Sequence, residues 1–298
     1  MGPTAIGKTK LAILLAQHYD TEIISADSRQ FFKEMNIGTA VPSLEELDQV
    51  KHHFIQHKSI SDTYTVGDFE KEAIKKLSEL FKIHDVVIMV GGSGLYVNAV
   101  TDGLNTFPIV HPSVREYLNS ELTKNGIEVL QKRLMNLDPT YFEKVDIHNP
   151  QRVIRALEVS IGSGKPYSSF LNKPKAKRNF NIMTVGLKAE RSLVYDRINK
   201  RVDLMVEAGL LEEVKSVFPF KNLNALKTVG YKEVFKYFER EWTLDFAISE
   251  IKKNTRRFAK RQLTWFLKND NTMWVDYNYN INDLLREIDN EIVNLKHV

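Results

Sequence analysis

Apolar positions along the chain follow two spacings, short continuous runs and helical repeats. Residues 22–26 and 85–90 are short apolar runs, the pattern of parallel strands covered on both faces. Residues 10–16 read as a helix, and residues 66–84 place Phe69, Ala73, Leu77, Leu80 and Phe81 at helical spacing. The run at 85–90 ends in Gly91-Gly92-Ser93-Gly94, and a further helix follows from Leu95. This strand–helix alternation predicts an α/β fold, a doubly wound parallel sheet flanked by helices.

The pattern changes after Pro108. Residues 114–124, 127–136 and 150–161 read as helices, punctuated by Leu137-Asp138-Pro139 and Asn149-Pro150. An all-helical insertion over 108–181 is therefore expected inside a core made of residues 1–107 and 182–298. A loop rich in Lys, Pro and Asn (172–181) closes the insertion, with hinges expected near Pro108 and Lys173. The chain then returns to a strand at 181–187. Helices are expected over 191–208, stopping at Gly209, and over 224–241 and 243–268. A last strand (272–276) and a last helix (281–295) complete the reading.

The first nine residues change the picture most. Gly2-Pro3-Thr4-Ala5-Ile6-Gly7-Lys8-Thr9 fits the phosphate-loop pattern G-x-x-x-x-G-K-[ST]. The two glycines let backbone N–H groups converge on one anion, Lys8 adds a mobile charge, and the Thr9 hydroxyl can hold Mg²⁺. The helix that follows turns its positive end toward the same anion. Such a loop ordinarily leaves a buried strand. Only Met1 precedes Gly2 here, so the loop is expected to lack that support.

Composition narrows the classes. The 298 residues include no cysteine, which excludes disulfides, thiolate metal sites and a thiol nucleophile, and fits a reducing cytoplasm. No apolar run reaches membrane-spanning length, and nothing resembles a signal peptide. The net charge of +4 is unevenly placed: residues 1–100 carry −3 and the remainder +7. A basic later portion suits a polyanion such as nucleic acid, and equally suits a solvated surface.

Asp27 follows the first strand at its carboxyl end, the edge where open α/β sheets bind ligands. It is open to a role as general base, as metal ligand, or as helix N-cap for the residues after it. The second strand ends in Gly91-Gly92 with no acidic residue, which weakens an ATPase or GTPase reading. A phosphate loop without hydrolytic partners suits a protein that holds a diphosphate as leaving group. Arg197 and Arg201 share one helix face and call for an anion or carboxylate between them. In residues 255–266, cations at 256, 257, 260 and 261 interleave with Phe258, Leu263 and Trp265, a pattern pointing to nucleic-acid phosphates with the aromatics fixing the helix. His52, His53 and His57 show no third ligand and read as structural or surface residues.

Taken in order, seven segments resemble bacterial tRNA dimethylallyltransferases, also called tRNA isopentenyltransferases. They are residues 2–9, Asp27-Ser28-Arg29-Gln30, Ile37-Gly38-Thr39-Ala40, Gly91-Gly92-Ser93-Gly94-Leu95-Tyr96, residues 149–158, Val229-Gly230-Tyr231-Lys232-Glu233, and Ala259-Lys260-Arg261-Gln262-Leu263-Thr264-Trp265. The resemblance covers essentially the whole chain. It implies a P-loop NTPase-like sheet and transfer of a dimethylallyl group from dimethylallyl diphosphate to the N6 amine of the adenosine 3′ of the anticodon, with Mg²⁺ and no ATP hydrolysis.

It further implies that Asp27 is the general base and that Lys8, Thr9 with Mg²⁺, and Arg201 stabilise the departing diphosphate held by residues 2–9. Ser93 stands where the family usually has Thr and would meet the target nucleotide or Asp27. The implied tRNA contacts are Asp27, Ser28, Arg29, Gln30, Ser93, Arg115, Gln151, Arg152, Val153, Ile154, Arg155, Lys227, Thr228, Val229, Gly230, Tyr231 and Lys232. The helical insertion is expected to grip the anticodon stem-loop of tRNA, and the protein to act as a cytoplasmic monomer. Three readings compete: a phosphate-loop kinase of small molecules, a prenyltransferase of free adenine nucleotides, and a non-catalytic RNA-binding protein.

Overall fold

A computed structural model describes every residue except 172, 173, 175, 297 and 298. The expected hinge at Lys173 lies outside the described residues. Two compact units emerge: Met1–Thr101 with Arg178–Val298, and Asp102–Lys177.

The first unit opens with α1 (Lys8–His18), β1 (Ile23–Ser25), α2 (Leu44–Gln49), β2 (His52–His53), α3 (Val66–Leu80), β3 (Ile88–Val90) and α4 (Gly94–Thr101). β1 pairs in parallel with β2 on one side and β3 on the other. All three residues of β1 are buried, as its apolar run demands. His52 and His53, read from sequence as structural or surface residues, form the edge strand β2. The helix α3 begins at a reciprocal cap in which Thr65 and Asp68 satisfy each other's backbone N–H. Its buried face, Phe69, Ala73, Leu77 and Leu80, repeats at the spacing that predicts it.

The second unit holds α5 (Pro112–Asn125), α6 (Ile127–Leu137), α7 (Pro139–Phe142) and α8 (Pro150–Ser163). Its core is Leu118, Leu130, Leu134, Val153, Ile154, Ala156 and Leu157, all fully buried. Asp138 is buried beside it and fully engaged. Its carboxylate accepts the Tyr141 N–H at 3.0 Å, the Ser168 N–H at 2.6 Å and the Ser168 hydroxyl at 2.8 Å, which offsets the cost of burying the charge.

The first unit resumes with β4 (Thr184–Lys188), α9 (Arg191–Glu207), α10 (Leu210–Val217), α11 (Tyr231–Phe238), α12 (Leu244–Phe266), β5 (Thr272–Asp276) and α13 (Ile281–Lys296). β4 and β5 form a parallel pair. The Met1 N–H donates to Val185 O at 2.5 Å, and the Leu187 N–H donates to Met1 O at 2.9 Å. The phosphate loop is thus anchored to β4 by the residue ahead of it, contrary to the expectation of an unsupported loop.

Two helices depart from the sequence reading. Gly209, at φ 99°, does not merely end α9; it starts α10. The helix expected over 224–241 is split, because Gly230 at φ 94° breaks the backbone and a 3-10 turn covers Asn224–Leu226. No described helix is long and apolar enough to cross a membrane.

Candidate active site

The loop before α1 has the strained geometry an anion cradle requires. Gly7 caps α1 at φ 105°, a conformation side chains resist. Ala5 also sits at φ 62°, at a cost of about 1 kcal/mol that functional loops commonly carry. The α1 N-terminus and the strand ends of β1 and β3 meet at one cavity of about 490 Å³. Thr4, Lys8 and Thr9 line it from the loop, Asp27 and Gly91-Gly92 from the strand ends, and Arg197, Lys200 and Arg201 from α9. Thr39, Ala40, Val41, Pro42, Ile55 and Leu204 give it an apolar portion.

Cations dominate this cavity. The Lys8 ammonium donates to Pro3 O at 2.7 Å, and burial pulls its pKa down to about 8, with Arg201 adding to the fall and Asp27 opposing it. Arg201 donates to the Thr4 hydroxyl at 3.2 Å. Burial works against its charge too, while Asp27 and Glu46 support it. Arg197 donates to Ile6 O at 3.4 Å and lies over the Tyr277 ring. Cations gathered around a cavity with few carboxylates leave positive charge for an anionic ligand to neutralise.

Asp27 is not a helix cap, since the residues after it form turns. Its Oδ1 accepts the Arg29 N–H at 3.0 Å, which fixes its orientation. Ser93 meets Ser28 rather than Asp27: its hydroxyl accepts the Ser28 N–H at 3.0 Å and donates to Ser28 Oγ at 3.1 Å. Arg29 donates to the carbonyls of Asn224 and Ala225 at 3.0 and 2.9 Å. The Gln30 amide donates to Thr39 O and Ala40 O at 3.2 and 2.9 Å, holding that loop at the cavity wall.

A divalent cation fits the donor chemistry. Thr9 and Asp27 offer hard oxygen atoms on one cavity, and no cluster of three or more His, Cys, Asp or Glu exists among the described residues. That donor set suits Mg²⁺ shared with phosphate oxygens and water rather than a protein cage.

The remaining positions divide by exposure. In the helical unit, Gln151 and Arg152 are exposed, but Val153 and Ile154 are fully buried, so their side chains reach no ligand and serve the core. Arg115 donates to Glu158 at 2.9 Å and to Gln151 at 3.2 Å; Arg155 donates to Glu158 at 3.0 Å and lies over the Phe107 ring. In the core unit, Lys227 and Lys232 are exposed, Thr228 and Val229 partly so, and Gly230 and Tyr231 buried. The Tyr231 hydroxyl donates to Glu213 at 2.7 Å, which makes Tyr231 a packing residue at this site.

The basic stretch of α12 also differs from its reading. Phe258 and Trp265 are more than a third exposed, and the helix is fixed instead by Ala247, Ile251, Ala259, Gln262 and Phe266. Arg256 donates to Asn199 at 2.7 Å and lies over Tyr195.

Sequence reasoning missed three participants. Lys200 and His52 line the cavity, and Gln262 bridges two of its loops. Lys200 could have been found from its place between Arg197 and Arg201. A polar Gln262 amid the apolar positions of α12 was the other available signal.

Fold and cavity together define an α/β phosphate-loop protein whose cationic cradle shares a cavity with the Asp27 carboxylate at a strand end. Residues 30–270 match the family described as IPP transferase, and the chain belongs to that family. It is 59% identical over 292 residues to the tRNA dimethylallyltransferase of Christiangramia forsetii, covering 98% of this chain and 97% of that one. It is 57% identical to the tRNA dimethylallyltransferase of Flavobacterium johnsoniae, covering 99% and 97%. Among solved structures, it is similar to the tRNA isopentenylpyrophosphate transferase of Bacillus halodurans (TM-score 0.73, 36% identity, 100% and 97% coverage). A eukaryotic dimethylallyltransferase acting on tRNA superposes at TM-score 0.79 with 26% identity, covering 98% of this chain and 78% of that one.

Proposed function

We propose that this protein transfers a dimethylallyl group from dimethylallyl diphosphate to the exocyclic amine of the adenosine 3′ of a tRNA anticodon, releasing pyrophosphate. The observation that carries it is the shared cavity: the phosphate loop, Arg201 and Asp27 line one space. The names of the relatives supply the substrates.

The diphosphate sits against residues 2–9, with backbone N–H groups, Lys8 and Arg201 gathering its charge. The allylic carbon then points toward Asp27. An aromatic amine is a poor nucleophile because its lone pair is delocalised. Asp27 takes its proton as the C–N bond forms and the C–O bond to diphosphate breaks, help worth about 10²–10⁴-fold. Thr9 would hold Mg²⁺, which when bound would further neutralise charge on the leaving group. The apolar positions Val41, Pro42, Ile55 and Leu204 on the same cavity suit the allylic end.

The target base must leave its stack to reach Asp27, as bases do when chemistry is performed on them. Ser28, Arg29, Gln30 and Ser93 lie beside Asp27 in the chain or bonded to it through Ser28, and form the acceptor side of the site. Lys227, Lys232, Gln151, Arg152, Arg115 and Arg155 supply cations and amides for the RNA backbone and loop bases. We place the reaction in the cytoplasm and the working unit as a monomer.

One assay separates the readings. Labelled dimethylallyl diphosphate is offered with tRNA, with AMP, or alone. Label in tRNA is the expected result. Label in AMP would assign a free-nucleotide enzyme, and ATP turnover without transfer a kinase.

A further inference from the structure

We propose that Gln262 is a positioning residue that sets the spacing between the donor cradle and the acceptor side of the site. This rests on the functional reading above. Gln262 lies on α12 and is only 6% exposed. Its Oε1 accepts the Thr4 N–H at 2.9 Å, and its Nε2 donates to Gly92 O at 2.8 Å. Those partners stand 258 and 170 residues away in sequence.

One buried side chain therefore ties the phosphate loop to the turn after β3. The connection continues through short steps. Ser93, next to Gly92, accepts the Ser28 N–H, and Ser28 adjoins Asp27. Position 92 leaves no room for slack: a Cβ there would collide with the Gln262 amide. One helical turn further, the Trp265 ring fills the space a side chain at Gly94 would need. Two side chains on one face of α12 thus press on both ends of the Gly92–Gly94 turn.

A side chain that only stabilised the fold would not need to pair both loops. The amide of Gln262 satisfies one donor and one acceptor on two segments that both line the cavity. Without it, each loop keeps its own ligand contacts, but the allylic carbon and the attacking amine lose their mutual alignment. Misplacement of about 1 Å can cost on the order of 100-fold in rate.

The test is Gln262→Met, which keeps volume and removes both hydrogen bonds. Single-turnover transfer from saturating dimethylallyl diphosphate to tRNA is measured beside equilibrium binding of inorganic pyrophosphate and of tRNA. The expected result is a fall in rate of more than about tenfold, with both affinities within about threefold of wild type. A smaller fall, or one matched by lost affinity, overturns the proposal.

If Gln262→Met does not fold, Gln262→Glu decides. A neutral carboxyl reproduces both bonds, whereas a carboxylate cannot donate to Gly92 O. At pH 8 the variant should transfer at least about tenfold more slowly than wild type with tRNA affinity within about threefold; a smaller fall overturns the proposal. Wild-type protein that transfers nothing to tRNA would instead refute the functional reading itself.

Discussion

Arg201 Nη1 donates to the Thr4 hydroxyl at 3.2 Å, so a guanidinium carried on α9 is held against the phosphate loop before any ligand arrives. Pre-placed charge avoids the ordering that a free arginine would undergo during the reaction. Arg201→Ala should therefore lower kcat/KM for the diphosphate donor by about 30- to 1000-fold, with tRNA affinity little changed. Steady-state transfer kinetics at fixed tRNA would measure both.

Asp27 accepts the Arg29 backbone N–H and lines the cavity. Asp27→Asn preserves that hydrogen bond and its shape, and removes the proton acceptor. Transfer should fall by about 10²–10⁴-fold while the affinity for tRNA, read by filter binding, stays near wild type. Unchanged turnover would refute the base assignment.

Lys8 is held near a pKa of about 8, well below the usual lysine value, because burial disfavours its charge. A bound diphosphate favours the charged form and raises that pKa. The free protein thus loses the Lys8 proton as pH rises through about 8, and binding must restore it. Calorimetry of pyrophosphate binding above pH 8, in buffers of different ionisation enthalpy, should register proton uptake that Lys8→Met lacks.

Glu213 closes a loop that the sequence marks only as Ile37-Gly38-Thr39-Ala40. Its carboxylate accepts the N–H groups of Asn36, Ile37 and Gly38 at 2.9, 2.6 and 2.9 Å, and the Tyr231 hydroxyl at 2.7 Å. Glu213→Ala leaves these donors without their partner and should cost about 2 kcal/mol or more in urea unfolding. Because Thr39 and Ala40 line the cavity, the KM for the donor should rise as well.

The two basic sites should part company in salt. Lys227 is exposed, whereas Arg256 is tied to Asn199 and Tyr195. Lys227→Ala should lower the salt slope of tRNA binding by about one, and Arg256→Ala should leave it unaltered.

What the sequence discloses about this site depends on distance along the chain. Residues 2–9 act as a contiguous unit, so spacing alone reveals the cradle. Asp27 is visible because it ends an apolar run. Even the core role of Val153 and Ile154 follows from the helical repeat that places Gln151 and Arg152 outside. Gln262 and Glu213 are different: their partners lie across the fold, and no local pattern announces a carboxylate that gathers three remote N–H groups. The Arg256 tie is hidden for the same reason, since its partner Asn199 sits on another helix. The break at Gly230 depends on a positive φ that a helical repeat conceals.

Arg178 gives the architecture a seam. Its guanidinium donates to Val100 O at 2.8 Å and Ala99 O at 2.7 Å and pairs with Glu70 at 2.7 Å, while the Ala176 N–H donates to Asp102 O at 2.7 Å. The outgoing and returning chains are stitched together where the helical unit departs. A short connector could close the chain at that stitch, because these Arg178 bonds all lie inside the unit that carries the phosphate loop.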